Sequence, residues 1–262
     1  MENAFPLISV VIVNFNAGDW LCKCVHAVLQ SNLPMEVFVA DNGSTDRSLT
    51  LLRATFARET RLRICENKVN LGFAKGNNNI LPMTSGEYVL LLNPDCVVQA
   101  DVLKRMCQAM QDYPDAGLAS CLVKNTDGSI QANSRRFIPT PWRSLMRILH
   151  VDMLFSRGVG INNTGQLPTK PIFVEGISGA FMLVRRSALQ QVGALDEGYF
   201  LHCDDLDWFV RFQHAGWKLL FVPDVYVVHT KGACSQSAAF RVLWHKHKGM
   251  ARFYRKFFYY RR

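Results

Sequence analysis

The sequence predicts an α/β fold built on a largely parallel, doubly wound sheet. Apolar runs rich in β-branched residues alternate with segments of helical periodicity four times from the N-terminus, which is the pattern of a parallel sheet with crossover helices. A cluster of polar residues follows three of these runs. With 262 residues, 49% hydrophobic and 19% charged, the chain is long enough for one large domain and too apolar for a disordered segment. It holds no apolar run of the roughly 18 residues needed to span a membrane.

The first element is a strand over Leu7–Phe15, a near-continuous apolar run typical of a strand that is covered on both faces. The N-terminus contains an acidic residue and no basic region, so we favour this strand over a secretory signal peptide. The next predicted elements are a helix over 21–29, a strand over 35–40, a helix over 49–56, a strand over 62–65, a loop running into a helix over 70–79, a strand over 87–92 and a helix over 102–110.

The second half is less regular. Its predicted elements are a turn, within a hairpin, over 125–130, a helix over 140–155, a loop over 156–171, a strand over 181–184, a helix over 204–214 that begins with acidic residues, and short strands over 219–222 and 225–228. Eight cysteines are scattered without a CxxC pair, which argues against a zinc ribbon and favours a reducing cytoplasm.

Charge is distributed unevenly along the chain. The net charge of +9 arises wholly after Asp224, the last acidic residue, because residues 1–224 carry 21 basic and 21 acidic side chains. The basic residues of the tail are Lys231, Arg241, Lys246, Lys248, Arg252, Arg255, Lys256, Arg261 and Arg262. A neutral body with a basic tail indicates a partner for the tail and not for the whole surface.

The three polar clusters are 14–16, 41–46 and 93–95. Ligands of parallel α/β sheets bind at the carboxyl ends of strands, so we expect all three clusters to line one crevice. Asp95 follows Pro94 at the end of a buried run, where it is a solvated turn, a helix cap or a ligand for a positive charge. A nicotinamide cofactor is disfavoured because no GxGxxG follows the first strand.

Several motifs in one order carry a resemblance to a known family. They are NFN, ADNGSTDRS, NLGFAKGNN, YVLLLNPD, GSIQANSRR, GAFMLVRRSAL, VGALDEGYFLHCDDLDWFVRF, GWKLLFVPDVYVVH and KGACS. Over about residues 7–237 the chain resembles the family 2 glycosyltransferases, and within them the bacterial rhamnosyltransferase-like enzymes of surface-polysaccharide assembly. The resemblance implies a GT-A fold, with a nucleotide-sugar-binding half over 1–115, an acceptor-binding and catalytic half over 116–237, and a basic aromatic helix over 238–262.

The resemblance also implies roles for individual residues. Asp41 would hold the pyrimidine base of the donor, although the same cluster reads as a turn with a helix cap. The wider donor-binding set is Asn14, Asn16, Asp41, Asn42, Gly72, Lys75, Asn78, Asn93, Gly179 and Ala180. In the last pair, small residues would leave room for the donor sugar.

The family's usual metal motif is DxD, and this chain has Asn93-Pro94-Asp95 in its place. The resemblance implies that Asp95 and His229 hold Mn²⁺ or Mg²⁺, which would neutralise the leaving diphosphate. His229 considered alone is more typical of a hydrogen-bonded histidine at a strand end. The missing first carboxylate makes the metal requirement the main question that the motif raises.

The family's general base lies in an acidic pair that opens a helix, here Asp204-Asp205. The resemblance assigns Asp205 as the base and Asp204 as its neighbour, against the alternative of acids that cap a helix. Asp207 fits that alternative better. Acceptor or diphosphate contacts are assigned more weakly to Arg135, Arg136 and Trp208, which also read as members of a salt bridge and of the core.

The C-terminal residues 240–262 mix basic with aromatic side chains. This composition predicts an amphipathic helix on an anionic membrane surface, with a helix that packs on the body or in a dimer as the alternative, and nucleic acid disfavoured. Together these features predict an inverting, metal-dependent transferase on the inner face of the cell membrane, with dTDP-rhamnose as donor and a lipid-linked saccharide as acceptor. Alternatives are a UDP- or GDP-hexose donor, and a non-catalytic nucleotide- or nucleic-acid-binding module with a basic arm.

Overall fold

A computed structural model describes residues 5–148, 162–163, 165–230 and 239–259. The parts of the predicted helix, loop and basic tail that fall on 149–161, 231–238 and 260–262 lie outside the described residues. They include Lys231, Arg261 and Arg262. The first half contains β1 Ile8–Asn14, α1 Asp19–Leu29, β2 Met35–Asp41, α2 Ser48–Thr55, β3 Leu62–Glu66, α3 Gly72–Asn78, β4 Tyr88–Leu92, β5 Cys96–Val98 and α4 Val102–Asp112. The predicted alternation of strands and helices is confirmed here.

The second half contains β6 Ala116–Lys124, β7 Arg135–Arg136, α5 Pro141–Ile148, β8 Ile172–Val174, β9 Gly176–Ile177, β10 Phe181–Arg185, α6 Arg186–Val192, α7 Asp204–His214, β11 Lys218–His229 and α8 Ala239–Tyr254, the last continued by a π-helical turn over Arg255–Tyr259. None of the helices in the described residues has the length and hydropathy needed to cross a membrane. The seven cysteines among the described residues form no disulfide.

Eight strands form the main path of one sheet in the order β3-β2-β1-β4-β10-β6-β11-β5, and β8 pairs with β11 to one side. Strands β3, β2, β1 and β4 are mutually parallel, as predicted, whereas β10 runs antiparallel to both of its neighbours. The fold is therefore mixed α/β, with the parallel half confirmed and the second half mixed. A small separate sheet joins β7 to β9.

Both faces of the sheet are buried, which explains the continuous apolar runs. Alternate residues of β1 point to opposite sides: Ile8, Val10 and Ile12 pack with α1, α2 and α4, and Val11 and Val13 pack with α3, α6, α7 and α8. The core thus has two layers, and the predicted crevice would lie where β1, β2 and β4 end.

Strands β5, β6, β7, β8 and β9 were not predicted from the sequence, and β11 was predicted as two strands. The predicted short strands over 219–222 and 225–228 are one strand, β11, whose pairing with β6 shifts register between Val222 and Tyr226. Pro223 lies within this irregularity, where the missing N–H costs no ladder hydrogen bond. Strand β6, absent from the sequence prediction, is fully buried apart from Lys124, and its Ala, Gly and Ser residues carry little strand propensity.

Candidate active site

The ends of β1 and β2 form the first wall of the crevice. Asn14 and Asp41 are register partners, and Nδ2 of Asn14 donates to Oδ1 of Asp41 at 2.7 Å. Oδ2 of Asp41 accepts from the backbone N of Ser44 at 3.0 Å. Asn16 has a positive φ of 54°, and its Oδ1 accepts from the backbone N of Thr45 at 2.8 Å. These polar groups, of which Asn14 and Asp41 are buried, fix the turn after β2, and their predicted contact with a nucleotide stays a prediction.

The start of α3 forms the floor of the crevice. Nδ2 of Asn42 donates to the carbonyl of Gly72 at 3.0 Å. Gly72 has a φ of 80°, and a Cβ there would lie 2.2 Å from the carbonyl oxygen of Phe200. The same oxygen accepts from the backbone N of Phe73 at 3.0 Å. Only glycine fits at position 72, because the start of α3 and the segment before α7 meet there.

Two further residues of α3 differ in their surroundings. Lys75 is exposed, and its predicted contact with the donor stays a prediction. Asn78 uses its side chain on the second half: Nδ2 donates to the carbonyl of Leu195 at 2.8 Å and to Glu197 at 3.1 Å, and its Oδ1 accepts from the N of Leu195. Asn78 therefore joins the two halves of the chain, and it has few free groups for a donor.

Asp95 and His229 come together although they are 134 positions apart. Strand β11 runs antiparallel to β5 with His229 opposite Cys96, so Nε2 of His229 lies 3.2 Å from Oδ1 of Asp95. Nδ1 of the same ring lies 3.2 Å from Oε1 of Gln131, and Nε2 lies 3.4 Å from Nδ2 of Asn93. Gln131 thus orients the ring so that Nε2 faces the carboxylate, as the outer partners of metal-binding histidines do.

The candidate ligand atoms fit a divalent cation that takes only part of its coordination from the protein. Asp95, Cys96 and His229 present one ligand atom each within 4.8 Å of one another. Burial raises the pKa of the Cys96 thiol well above its ordinary value, and the thiol donates to the carbonyl of Ala180. The remaining ligands are one carboxylate oxygen and one imidazole nitrogen, which suits a cation that completes its shell with water and diphosphate oxygens.

Asp205 lies in the first turn of α7. Its carboxylate forms an ion pair with Nη2 of Arg136. The side chains of Arg136 and Asp205 are 15% and 14% exposed. Arg136 is held in turn by the carbonyl of Ile177, which accepts from its Nε at 2.9 Å. A Cβ at Gly179 would lie 3.0 Å from Oδ2 of Asp205. The absent side chain at 179 therefore makes room for the Asp205 carboxylate.

A short series of contacts joins Asp205 to the Asp95–His229 pair. Gly179 lies against Asp205, and the next carbonyl, that of Ala180, accepts from the backbone N of Asn93 at 3.0 Å. Asn93 reaches His229 as described above. The antiparallel pairing of β10 with β4 causes this, because it brings the start of β10 to the end of β4. The predicted base and the predicted metal ligands are therefore connected through the start of β10 and the end of β4.

Asp204 has different surroundings from Asp205. It is 4% exposed, and within the described residues its Oδ2 has no hydrogen-bond partner. Burial, and secondarily the adjacent Asp205 carboxylate, raises the pKa of Asp204 to about 7. His202 and Cys203, just before it, both have a φ of 67°, a conformation that costs non-glycine residues about 1 kcal/mol or more. Such strain is common where a chain must aim side chains into a site.

Two predicted ligand contacts are corrected. Trp208 is fully buried in the core, and its Nε1 donates to the carbonyl of Gly193 at 2.9 Å, so it offers no face to a sugar. Arg135 is 7% exposed, and its Nη2 donates to the carbonyls of Gly165 at 2.7 Å and of Gln166 at 3.3 Å. Its guanidinium holds backbone and not a diphosphate.

The C-terminal helix contributes a network that the sequence analysis missed. Asp207 is fully buried, and its carboxylate pairs with Lys256 at 2.6 Å and with Arg211 at 2.7 Å. Phe253 is fully buried against the same layer, so one face of α8 packs on the body, as the alternative reading of the tail predicts. Only the long separation of 49 residues hid the Lys256–Asp207 pair, since neither residue belongs to a local pattern.

Known proteins similar to this chain agree with its fold. Residues 9–193 match the model of the family described as "Glycosyl transferase family 2". The chain is 29% identical over 239 residues to the N-acetylglucosaminyl-diphospho-decaprenol L-rhamnosyltransferase of Mycobacterium tuberculosis, covering 86% of this chain and 76% of that protein. It is 26% identical over 242 residues to the rhamnosyltransferase WbbL of Escherichia coli, covering 85% and 83% of the two chains.

Solved structures share the fold at lower identity. GalNAc-T7 with UDP, GalNAc and Mn²⁺ superposes with a TM-score of 0.67 at 18% identity, over 86% of this chain and 43% of that one. The mannosyltransferase PcManGT of Pyrobaculum calidifontis, with GDP-Man and Mn²⁺, gives 0.65 at 18% identity, over 97% and 65%. This chain thus spans less than half of the GalNAc-T7 chain. These neighbours are GT-A enzymes, and this chain belongs to glycosyl transferase family 2.

Proposed function

We propose that the chain is an inverting glycosyltransferase that moves rhamnose from dTDP-rhamnose to a hydroxyl of a lipid-linked saccharide in cell-surface polysaccharide synthesis. The observation that carries this is the approach of Asp205 to the Asp95–His229 pair through Gly179 and Ala180. A binding module has no need for a carboxylate placed beside a candidate diphosphate site. The choice of donor and acceptor draws on the two rhamnosyltransferases, whose similarity runs over most of the chain.

In the proposed reaction the acceptor oxygen attacks the anomeric carbon of the donor in a single displacement. The bond from that carbon to the diphosphate breaks, and the nucleoside diphosphate leaves from the opposite face, so the configuration inverts. Asp205 takes the proton of the attacking hydroxyl. Arg136 holds the Asp205 carboxylate in place through their ion pair until the acceptor arrives.

Asp95 and His229 would hold Mn²⁺ or Mg²⁺ beside the diphosphate. The cation would supply Lewis-acid stabilisation of the leaving group, and Gln131 and Asn93 keep the imidazole turned toward it. The other donor-binding residues, Asn14, Asn16, Asp41, Asn42 and Lys75, would line the nucleotide pocket at the ends of β1 and β2. The enzyme would act on the inner face of the membrane, in the cytoplasm, where its acceptor lipid is presented.

Two measurements test the proposal. The first is thermal stabilisation of the full chain by dTDP, UDP and GDP sugars, each with and without Mn²⁺. We expect stabilisation by dTDP-rhamnose that increases with the metal. A larger stabilisation by a UDP- or GDP-hexose would show that this sugar nucleotide, and not dTDP-rhamnose, is the donor. No stabilisation by any nucleotide would contradict the proposal.

The second is transfer by the Asp205→Asn variant on whichever donor is active, with Asp112→Asn as the control at an exposed carboxylate. Loss of the base should lower kcat about 100-fold or more, with the stabilisation by donor retained. Equal rates in the wild type and Asp205→Asn would show that Asp205 is not the base.

A further inference from the structure

An open cleft lies between α8 and the turn at Gly198, away from the crevice described above. Its volume is about 530 Å³, and it is lined by Gly198, Lys248, Ala251, Arg252, Arg255 and Lys256. Every charged residue of this lining is basic. Lys248, Arg252 and Arg255 are spaced by four and three residues, which places them along one side of the helix.

Among the described residues, two of the four cations form ion pairs with aspartates and two do not. Arg252 and Lys256 pair with Asp196 at 2.9 and 2.7 Å, and Lys256 also pairs with the buried Asp207. Within the described part of the chain, Lys248 and Arg255 form no ion pair, and both are exposed. Fold stability accounts for the first two cations, and the second two leave the cleft with surplus positive charge.

The cationic row is bracketed by exposed aromatic residues. Trp244 lies four positions before Lys248 and is 62% exposed, and Tyr259 lies four positions after Arg255 and is 76% exposed. Leu243 and Phe258 beside them are also exposed. Tryptophan and tyrosine with basic neighbours are typical of a helix at a membrane interface, where the ring reaches the acyl boundary and the cation reaches the headgroup.

We infer that this cleft binds the phosphate headgroup of an anionic membrane lipid, with Lys248 and Arg255 as its free cations and Trp244 and Tyr259 at the interface. A small soluble anion would be satisfied by the cations and would have no use for the exposed rings on both sides. The inference takes from the proposed function only that a membrane is the place of work. The cleft itself is independent of sugar transfer.

The test uses the full chain, because deleting the tail would remove the buried Phe253 and leave Asp207 without Lys256. The variant Lys248→Gln/Arg255→Gln removes two charges from the cleft without touching the Asp196 pairs. The control Arg58→Gln/Lys104→Gln removes two exposed charges elsewhere. Binding is measured by co-sedimentation with phosphatidylcholine vesicles and with phosphatidylcholine–phosphatidylglycerol vesicles.

We expect the wild type to sediment with the phosphatidylglycerol vesicles. The cleft variant should partition about thirtyfold less, or roughly fivefold for each charge, and the control variant less than twofold. If vesicle binding fell equally in both variants, the attraction would come from diffuse surface charge, and the cleft would not be the binding site. No sedimentation of the wild type would overturn the inference.

A third arm separates the lipid from a free anion. Thermal stabilisation by millimolar inorganic phosphate that disappears in the cleft variant, with vesicle binding unchanged, would show a soluble-anion site and refute the lipid. Transfer rates on a water-soluble acceptor are measured in parallel. Normal rates without vesicle binding would contradict only this inference, and vesicle binding without transfer would contradict only the proposed function.

Discussion

Replacing Asp204 by asparagine should change how the stability of the protein depends on pH. The pKa of Asp204 is raised from 3.8 to about 7 in the folded chain, mainly by burial. Between these two values the folded state holds one proton more than the unfolded state, so the free energy of unfolding falls as the pH rises. Asparagine has a similar shape and no proton to lose.

The size of the effect follows from the same two values. Stability falls by about 1.4 kcal/mol for each pH unit in which the folded form stays protonated and the unfolded form is ionised. From pH 5 to pH 8 this amounts to roughly 2–3 kcal/mol, after which the loss levels off above the folded pKa. At pH 5 the wild type and Asp204→Asn should therefore be of similar stability, and at pH 8 the variant should be the more stable one.

Urea unfolding at pH 5, 6, 7 and 8 measures this difference, with Asp112→Asn as the control for a carboxyl group on the surface. The stability difference between the wild type and Asp204→Asn should grow steadily with pH, and the control difference should stay flat. A difference that is constant from pH 5 to pH 8 would refute the reasoning, since it would mean that Asp204 is already ionised at pH 5.

Three further substitutions test other contacts. Gly179→Ala places a methyl group 3.0 Å from Oδ2 of Asp205, so kcat should fall at least tenfold in initial-rate assays at unchanged melting temperature. His229→Ala should weaken Mn²⁺ binding at least tenfold, measured by titration calorimetry with the donor nucleotide present, because Asp95 alone remains. Lys256→Met should lower the free energy of unfolding in urea by about 2–4 kcal/mol, because it removes a partner from a fully buried carboxylate.

Each of these variants has a control that makes the same type of substitution at a position outside the contact being tested. Gly165→Ala adds a methyl group at ordinary contact distance, His26→Ala removes an imidazole outside the crevice, and Lys248→Met removes an exposed lysine. The reasoning fails for any pair in which the control and the test variant behave alike.

Much of the first half was predictable because its signals are local. Strand β1 is a continuous apolar run, and Asn14 and Asp41 meet because parallel strands end at one edge. The same rule brought Asp95 to that edge. His229 was placed beside it only through the family resemblance, since its position depends on the antiparallel pairing of β11 with β5, which no local pattern encodes.

The remaining features arise from long-range packing. Trp208 occupies a helix position that is more often core than a sugar-stacking platform, and the tertiary contacts place it in the core. Asp207 resembles a helix-capping acid in sequence, yet α8 buries it and provides Lys256. The different surroundings of Asp204 and Asp205 likewise arise from the burial of Asp204 and from the ion pair of Asp205 with Arg136. Neither can be read from two adjacent acidic residues in the sequence.

The position of Phe200 has a consequence for how such chains can diverge. Its carbonyl accepts from the N–H of Phe73 in α3, and its ring stacks on His245 of α8 with centroids 4.4 Å apart. Gly249 of the same helix lies where a Cβ would be 3.0 Å from the carbonyl of His202. The tail and the segment before Asp204 are therefore packed as one unit, and a chimera that exchanged α8 between relatives should need residues 196–203 from the same parent to keep its stability.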